Sequence, residues 1–171
     1  MEFNKCYALY LFERPNFFLS ASEDIDNIDP STPNQRGFEI ISTEGGLENA
    51  DSDTYNDSVW KIVAGLDDEP GSISFEGIGY DEPYYMKTIN GDMLRMKAEV
   101  SSVGRMVYRE KASWKCQPQE GFIYIENNDV DESGMGSPEY LGTNDAGDDE
   151  EMVSYEELNP GYGWVPREME C

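Results

Sequence analysis

Acidic side chains are the most abundant groups in this sequence that are capable of chemistry. There are 36 Asp and Glu residues against 12 Lys and Arg, and no histidine. The absence of histidine removes the commonest general base and metal ligand at neutral pH and excludes the familiar Ser–His and Cys–His arrangements. Paired carboxylates serve glycosidases, but so acidic a chain always offers some suitable pair. With no Gly-rich phosphate loop either, we expect a non-catalytic binding protein without a cofactor.

One acidic stretch resembles the start of a calcium loop. Asp129, Asp131 and Ser133 stand at the first, third and fifth positions of an EF-hand pattern, and Gly134 stands at the sixth. The twelfth position, which needs a bidentate Glu, is Tyr140. We therefore favour a solvated acidic loop and no metal site, with a weak Ca²⁺ site as the alternative. The acidic residues of 145–151 and of 51–57 are interpreted in the same way, as solvated charge.

The net charge of −24 limits the partners of the chain. Nucleic acids and anionic membrane surfaces would be repelled, because binding to either depends on basic side chains. Basic proteins remain suitable partners, although acidic residues also serve simply to keep a surface solvated. Seven of the twelve basic residues fall between Lys87 and Lys115, and we interpret them as locally paired with carboxylates.

The N-terminus and the cysteines leave the cellular compartment open. Residues 1–5 show no apolar stretch of a signal peptide, which slightly favours an intracellular over a secreted protein. No run of about 18 apolar residues occurs, so we expect no membrane insertion. Of the three cysteines, Cys6 and Cys171 would pair only if the two ends of the chain are neighbours, and Cys116 is isolated. We expect a monomer.

Short apolar runs with strand-like alternation predict an all-β protein. Only the stretch from Glu99 to Tyr108 suggests a helical turn. The predicted strands are Tyr7–Phe12, Phe38–Ser42, Val59–Val63, Ser72–Ile78, Met93–Ala98, Met106–Arg109, Ser113–Gln117 and Phe122–Glu126.

Three landmarks recur in the same order along the chain, and each group is given in turn. An apolar residue followed by Glu ends a strand at Phe12-Glu13, Phe75-Glu76 and Ile125-Glu126. A proline precedes an aromatic–aliphatic pair at Phe18-Leu19, Tyr85-Met86 and Tyr140-Leu141. A strand centred on a tryptophan follows at Trp60, Trp114 and Trp164. The order indicates three repeated units.

Three units of about four short strands each are typical of a β-trefoil, in which a closed barrel removes exposed sheet edges. We therefore predict one domain over 1–171 with repeats at about 1–66, 67–118 and 119–171. The first unit carries the longest insertions. The predicted surface loops are 22–35, 43–58 and 127–137, and such loops often carry function.

The second unit resembles a known family. The segments Asp57-Ser58-Val59-Trp60 through Gly65-Leu66, Ser74-Phe75-Glu76 and Tyr84-Tyr85-Met86-Lys87 are similar to the arabinose-binding domain of α-L-arabinofuranosidases, a β-trefoil among the family-42 carbohydrate-binding modules. This resemblance covers about 35 residues well. It implies a β-trefoil fold and sugar pockets built from a His of one segment and an Asp of the following strand.

The resemblance also implies that these pockets are altered. The position of the family's His falls on Thr88, or near Ala21 and Thr143 in the other units. The Asp is kept at Asp57, whereas Lys111 stands at the equivalent place in the second unit.

Candidate ligand-binding residues follow from the altered pockets and from aromatic residues able to stack on sugar rings. They are Asp57, Tyr80, Tyr84, Thr88 and Tyr162. Two functions stay open at this point. The first is a lectin-like module that binds a glycan, and the second is an acidic module that binds or inhibits a basic protein.

Overall fold

The computed structural model describes residues 1–22, 35–66, 70–79, 84–89, 93–97, 99–100, 106–108, 112–127 and 138–171, and at 35–36, 88–89, 93–97, 99–100 and 106–108 it describes the backbone alone. These parts form an all-β protein, as predicted, with a single α-helix among them. The strands are β1 (Cys6–Leu11), β2 (Phe18–Ser22), β3 (Gln35–Ile41), β4 (Trp60–Ala64), β5 (Ile73–Gly77), β6 (Tyr84–Ile89), β7 (Met93–Lys97), β8 (Glu99–Val100), β9 (Met106–Tyr108), β10 (Trp114–Pro118), β11 (Ile123–Asn127), β12 (Glu139–Thr143), β13 (Glu150–Ser154) and β14 (Trp164–Met169). The helices are α1 (Ser52–Ser58) and 3-10 turns at Leu47–Asn49, Tyr155–Glu157 and Pro160–Tyr162.

Twelve of these strands belong to one antiparallel sheet, and β8 pairs with β9 separately. Six of the twelve pair in a cycle: β1 with β4, β4 with β5, β5 with β10, β10 with β11, β11 with β14, and β14 with β1. Each strand in the cycle therefore has a hydrogen-bonded neighbour on both sides, which leaves no free edge among the six.

The register around the cycle repeats at the three tryptophans. Trp60 lies opposite Tyr7, Trp114 opposite Ile73, and Trp164 opposite Ile123. On its other side, each tryptophan pairs with a residue of a second strand: Trp60 with Gly77, Trp114 with Asn127, and Trp164 with Leu11. Gly77, Asn127 and Leu11 lie four residues after Ile73, Ile123 and Tyr7, respectively. The three strand pairs are thus built in one register.

Three hairpins, β2–β3, β6–β7 and β12–β13, extend from the cycle. Their second strands, β3, β7 and β13, lie beside one another. The first strand of each hairpin pairs with a strand of the cycle, and the register is the same in all three: Tyr10 lies opposite Phe18, Glu76 opposite Tyr85, and Glu126 opposite Tyr140. The aromatic–aliphatic landmark therefore occupies one equivalent position three times.

This register corrects the first landmark. Because Tyr7 is equivalent to Ile73 and Ile123, the residue equivalent to Phe75 and Ile125 is Leu9. Phe12-Glu13 lies three residues beyond that position, so its likeness to the other two pairs is coincidental.

The main core is built from residues of the six-stranded cycle and of the three hairpins. All three tryptophans are buried there, together with Leu9, Phe75, Ile125, Leu19, Met86 and Leu141. The Trp114 and Trp164 indole N–H groups donate to the carbonyls of Met86 and Leu141, at 2.9 and 2.8 Å. Among the described residues, the buried Trp60 Nε1 has no hydrogen-bond partner, and the Trp60 ring packs against Phe38 with centroids 5.5 Å apart.

A helix occupies part of the region that we predicted to be a surface loop. Asp51 caps α1, since its side chain accepts a hydrogen bond from the Thr54 backbone N–H at 2.8 Å, and Asp53 adds negative charge to the first turn. Both features stabilise a helix N-terminus. The helix contacts β2 and β5 and covers a second, smaller core around Cys6, Tyr10 and Leu47.

The acidic residues of 145–151 include solvated charge as expected, since Asp145, Asp148 and Asp149 are exposed in the β12–β13 turn, while Glu150 begins β13. Within the stretch from Glu99 to Tyr108, where we predicted a helical turn, the two described ends form the paired strands β8 and β9, and valine and tyrosine favour strands. Residues 101–105 lie outside the described residues.

The two ends of the chain meet. β1 pairs with β14 over six residue pairs, and Cys6 forms a disulfide with Cys171, with Cα atoms 5.3 Å apart. The remaining cysteine, Cys116, is a free thiol, and burial raises its pKa to about 11. No helix in the described parts of the chain is both long and apolar enough to cross a membrane.

Candidate functional site

A cleft of about 290 Å³ lies beside Tyr162, between three segments that the fold brings together. One segment follows β1 and supplies Glu13 and Arg14. The second is the β12–β13 turn, residues 143–147, and the third is 159–162, just before β14. Because β1 pairs with β14, residues from the two ends of the chain line the same cleft.

The position of Tyr162 is fixed by its own turn and by a glycine. Asn159 caps the 3-10 turn at Pro160–Tyr162, with its side-chain oxygen accepting from the Gly161 N–H at 2.9 Å. A Cβ added to Gly142 would lie 2.1 Å from Cδ1 of the Tyr162 ring. The ring therefore packs directly on the β12 backbone, and only glycine at 142 permits this approach.

The β12–β13 turn forms the opposite wall. Asn144 Oδ1 accepts from the Asp148 N–H at 3.1 Å, and the Asn144 N–H donates to the Asp149 carbonyl at 2.8 Å. The Arg14 guanidinium donates to the Gly147 carbonyl and lies 3.7 Å from the centroid of the Phe17 ring. Arg14 therefore holds the turn and places a positive charge in this wall of the cleft.

Carboxylates continue into an adjoining cleft of about 480 Å³, which shares Tyr162, Asn144 and Asp145 with the first. Glu151 lines this second cleft together with Tyr162. Partial burial, with the nearby Asp145 and Glu157, raises the pKa of Glu151. Burial and the Glu151 charge likewise raise the pKa of Tyr162. The site is thus an aromatic ring within a field of negative charge.

Glu13 places a carboxylate next to Gly161. A Cβ built on Gly161 would lie 3.3 Å from Glu13 Oε2 and 2.8 Å from Asn159 Oδ1. Glu13 and Asn159 therefore place oxygen atoms close to where a side chain at position 161 would begin. Thr143 Oγ1, also in the lining, is shielded from solvent and has no hydrogen-bond partner.

The register relates this cleft to repeated positions in the other two units. Thr143 follows Tyr140 by three residues, as Thr88 follows Tyr85 and Ala21 follows Phe18. Gly161 precedes Trp164 by three residues, as Lys111 and Asp57 precede their tryptophans. Thr143 and Gly161 both line the cleft, which therefore contains the third-unit members of both sets.

The structure brings only one predicted ligand-binding residue into this cleft. Tyr162 lines it, whereas half-buried Asp57 lies in α1 and half-buried Tyr84 begins β6 and packs on the main core. Thr88 lies in β6 opposite Leu94, and Tyr80 lies outside the described residues.

The candidate calcium residues Asp129, Asp131 and Ser133 also lie outside the described residues, and that site stays a prediction. Within the residues that are described, no group of three or more acidic or cysteine side chains is placed to hold a metal ion.

Sequence reasoning missed Glu13, Asn144 and Asn159. Asn159-Pro160-Gly161-Tyr162 carried a usable signal, because an Asn before Pro-Gly marks a tight turn that presents the following aromatic residue. Glu13 carried none, because its role depends on the pairing of β1 with β14, which joins positions more than 150 residues apart.

No protein-family model matches the chain, and no curated protein matches it in sequence. By its fold the chain is an all-β protein. Its cleft beside Tyr162 is polar and aromatic, and segments from near both ends of the chain line part of it.

Proposed function

We propose that the chain is a single β-trefoil domain whose cleft beside Tyr162 binds an uncharged carbohydrate without catalysing a reaction. The trefoil is supported by the cycle of six paired strands and by the three adjacent hairpins. The equal register of Trp60, Trp114 and Trp164 supports it further. In a trefoil of this kind, the six strands are the barrel and the hairpins are its triangular cap.

The observation that carries the function is the composition of the cleft at the position implied by the resemblance. Tyr162 offers an aromatic surface, and Asn144, Asn159 and Glu13 offer amide and carboxylate groups around it. Sugar rings have apolar C–H faces that pack on aromatic rings, while their hydroxyl groups exchange hydrogen bonds with amides and carboxylates.

The charge of the site selects uncharged sugars over acidic ones. The two clefts beside the tyrosine are lined by four carboxylates, those of Glu13, Asp145, Glu151 and Glu157, against the single guanidinium of Arg14, so negative charge predominates. Uronic acids and sulfated sugars would bring like charge into this field, which is unfavourable. Neutral hydroxyls instead donate hydrogen bonds to the carboxylates.

The test is a thermal-shift screen of the protein against neutral mono- and oligosaccharides, L-arabinose included, with galacturonic acid as the acidic counterpart. A ligand that binds only the native state raises the melting temperature. We expect a shift with at least one neutral sugar and none with galacturonic acid.

Titration calorimetry of that sugar then locates the site. Tyr162→Ala should weaken binding by roughly tenfold, about the worth of one aromatic contact. Phe3→Ala, which removes an exposed ring outside the cleft, should bind as the wild type does. A panel without any shift, or equal affinity of Tyr162→Ala and wild type, would contradict the proposal.

A further inference from the structure

Five aromatic rings form a continuous row on one side of the molecule, from Phe12 to Tyr155. Successive ring centroids lie 4.5 Å apart for Phe12 and Phe122, 5.2 Å for Phe122 and Tyr124, 6.2 Å for Tyr124 and Tyr140, and 6.4 Å for Tyr140 and Tyr155. We call these residues the aromatic row. None of the five lines the cleft beside Tyr162.

The row is exposed at both ends and anchored in the middle. Phe12 and Tyr155 are 37% and 70% exposed, Phe122 and Tyr124 are half-buried, and Tyr140 is buried. Phe12 is held by its backbone N–H, which donates to the Gly163 carbonyl at 2.9 Å, and Gly163 itself packs on the Phe122 ring. Phe12 follows β1 and Tyr155 begins a 3-10 turn. Aromatic side chains have few rotatable bonds and so lose little entropy when they bind, which suits them to anchor protein interfaces.

Glutamates are close in sequence to residues of the row. Glu13 and Glu156 follow its two exposed ends in sequence, and Glu120 precedes Phe122 by two residues; all three are exposed. Glu126 lies beside Tyr140, since Gln117 Nε2 donates to Glu126 Oε2 and to the Tyr140 hydroxyl. Lys115 lies opposite Glu126 in the β10–β11 ladder.

The molecule already pairs aromatic rings with guanidinium groups elsewhere. Arg14 lies 3.7 Å from the centroid of Phe17, and Arg167 lies 3.8 Å from the centroid of Tyr10 while donating to the Pro15 carbonyl. In both pairs the cation covers a ring face while also satisfying a backbone carbonyl. The aromatic row offers ring faces and carboxylates of the kind that such a cation would use.

We propose that the aromatic row docks an arginine-rich basic segment of a partner protein. Charge complementarity favours this occupant: the chain carries a net charge of −24, and the exposed carboxylates at the row would pair with basic side chains. Planar guanidinium groups stack on ring faces and pair with carboxylates through the same fork of donors, whereas a lysine ammonium is a compact, strongly hydrated charge. The preferred side chain is therefore arginine.

The test is fluorescence-anisotropy titration of the intact protein with a labelled dodecapeptide of alternating arginine and glycine, and with its lysine counterpart. Because so acidic a protein attracts any polycation, bulk charge must be separated from the row. Phe12→Ala and Tyr155→Ala leave the charge unchanged and should each weaken binding of the arginine peptide about two- to fivefold. Phe3→Ala, which removes a ring 55% exposed outside the row, is the matched control and should have no effect.

The lysine peptide should bind more weakly than the arginine peptide to the wild type, and about equally to wild type and Tyr155→Ala. Equal affinity of the arginine peptide for wild type and both row variants, or equal affinity of the two peptides for the wild type, would overturn the proposal. Loss of neutral-oligosaccharide binding in the row variants, with peptide binding unchanged, would overturn it as well and assign the row to a glycan. Tyr162→Ala should bind the arginine peptide as the wild type does. The sugar proposal and the peptide proposal can therefore fail independently of each other.

Discussion

The regions around Trp60 and Trp164 share one strand register, but the surfaces beside the two tryptophans differ. Near Trp60, the acidic residue implied by the resemblance is kept as Asp57, but it lies half-buried in α1 and lines neither described cleft. Near Trp164 that position is Gly161, yet a cleft is open there and Glu13 supplies a carboxylate from the other end of the chain. A retained residue type therefore does not identify the site; the space around its position does.

The interiors of the two regions differ as well. The Trp164 indole N–H donates to Leu141, while the Trp60 indole N–H has no partner although its ring is equally enclosed. An unpaired buried donor costs free energy that the paired one avoids. The Trp164 indole is thus better satisfied than the Trp60 indole.

The largest expected effect comes from cutting the link between the two regions. Cys171→Ser removes the disulfide to Cys6, which closes a loop spanning a sequence separation of 165 residues. Such a bridge restricts the unfolded chain and should contribute about 2–5 kcal/mol to the free energy of unfolding. Urea denaturation with and without reductant measures this. The wild type should lose stability in reductant while the variant does not, and a wild type indifferent to reductant would show that the bridge contributes nothing.

Substituting the tryptophans sharpens the comparison of the interiors. Trp164→Phe leaves the Leu141 carbonyl without its indole donor, whereas Trp60→Phe removes a donor that was already unpaired. Both substitutions lose similar packing, so their difference should isolate the hydrogen bond. We expect Trp164→Phe to cost about 1–3 kcal/mol more than Trp60→Phe in urea denaturation. The reverse order would refute the assignment, and Trp114→Phe should behave like Trp164→Phe.

Gly142→Ala tests the packing that positions Tyr162. The added Cβ would lie 2.1 Å from the ring, and overpacking of this kind costs about 1–3 kcal/mol. In a Tyr162→Ala background the clash is absent, so the cost of Gly142→Ala should largely disappear. A double-mutant cycle by thermal or urea unfolding measures this coupling. Additive costs would mean that the ring does not rest on Gly142.

The smallest effects are opposite pH dependences in the two regions. The Thr54 N–H lowers the pKa of Asp51, so the Asp51 charge stabilises the fold above the ordinary Asp pKa, and this stability is lost as pH falls. Burial raises the pKa of Glu151, so ionising it costs stability as pH rises through that value. Asp51→Asn should therefore melt below, and Glu151→Gln above, the wild type at neutral pH. Both differences should vanish in acid, and profiles parallel to the wild type at all pH values would contradict these signs.

The sequence predicts the all-β class because its apolar and aromatic residues fall in short runs, such as Tyr7 to Phe12 and Phe122 to Glu126, whose lengths are typical of strands. It also locates the buried tryptophans and the aromatic–aliphatic pairs, whose spacing follows the register. It misses α1, whose N-cap at Asp51 is hidden among other acidic residues. The sequence does not predict the cleft either, because Glu13 lies next to Gly161 only through the β1–β14 pairing. Local pattern thus predicts elements, while the site depends on long-range pairing.

The most direct measurement is an NMR titration of the isotope-labelled protein with the neutral sugar that raises its melting temperature most. We predict that the largest shift changes fall on the side-chain amides of Asn144 and Asn159 and on the backbone of Gly161 and Tyr162. Signals of α1, including Asp57, should stay in place. Changes centred on Asp57, or no change at the cleft under saturating sugar, would contradict the central claim that the cleft beside Tyr162 is a carbohydrate site.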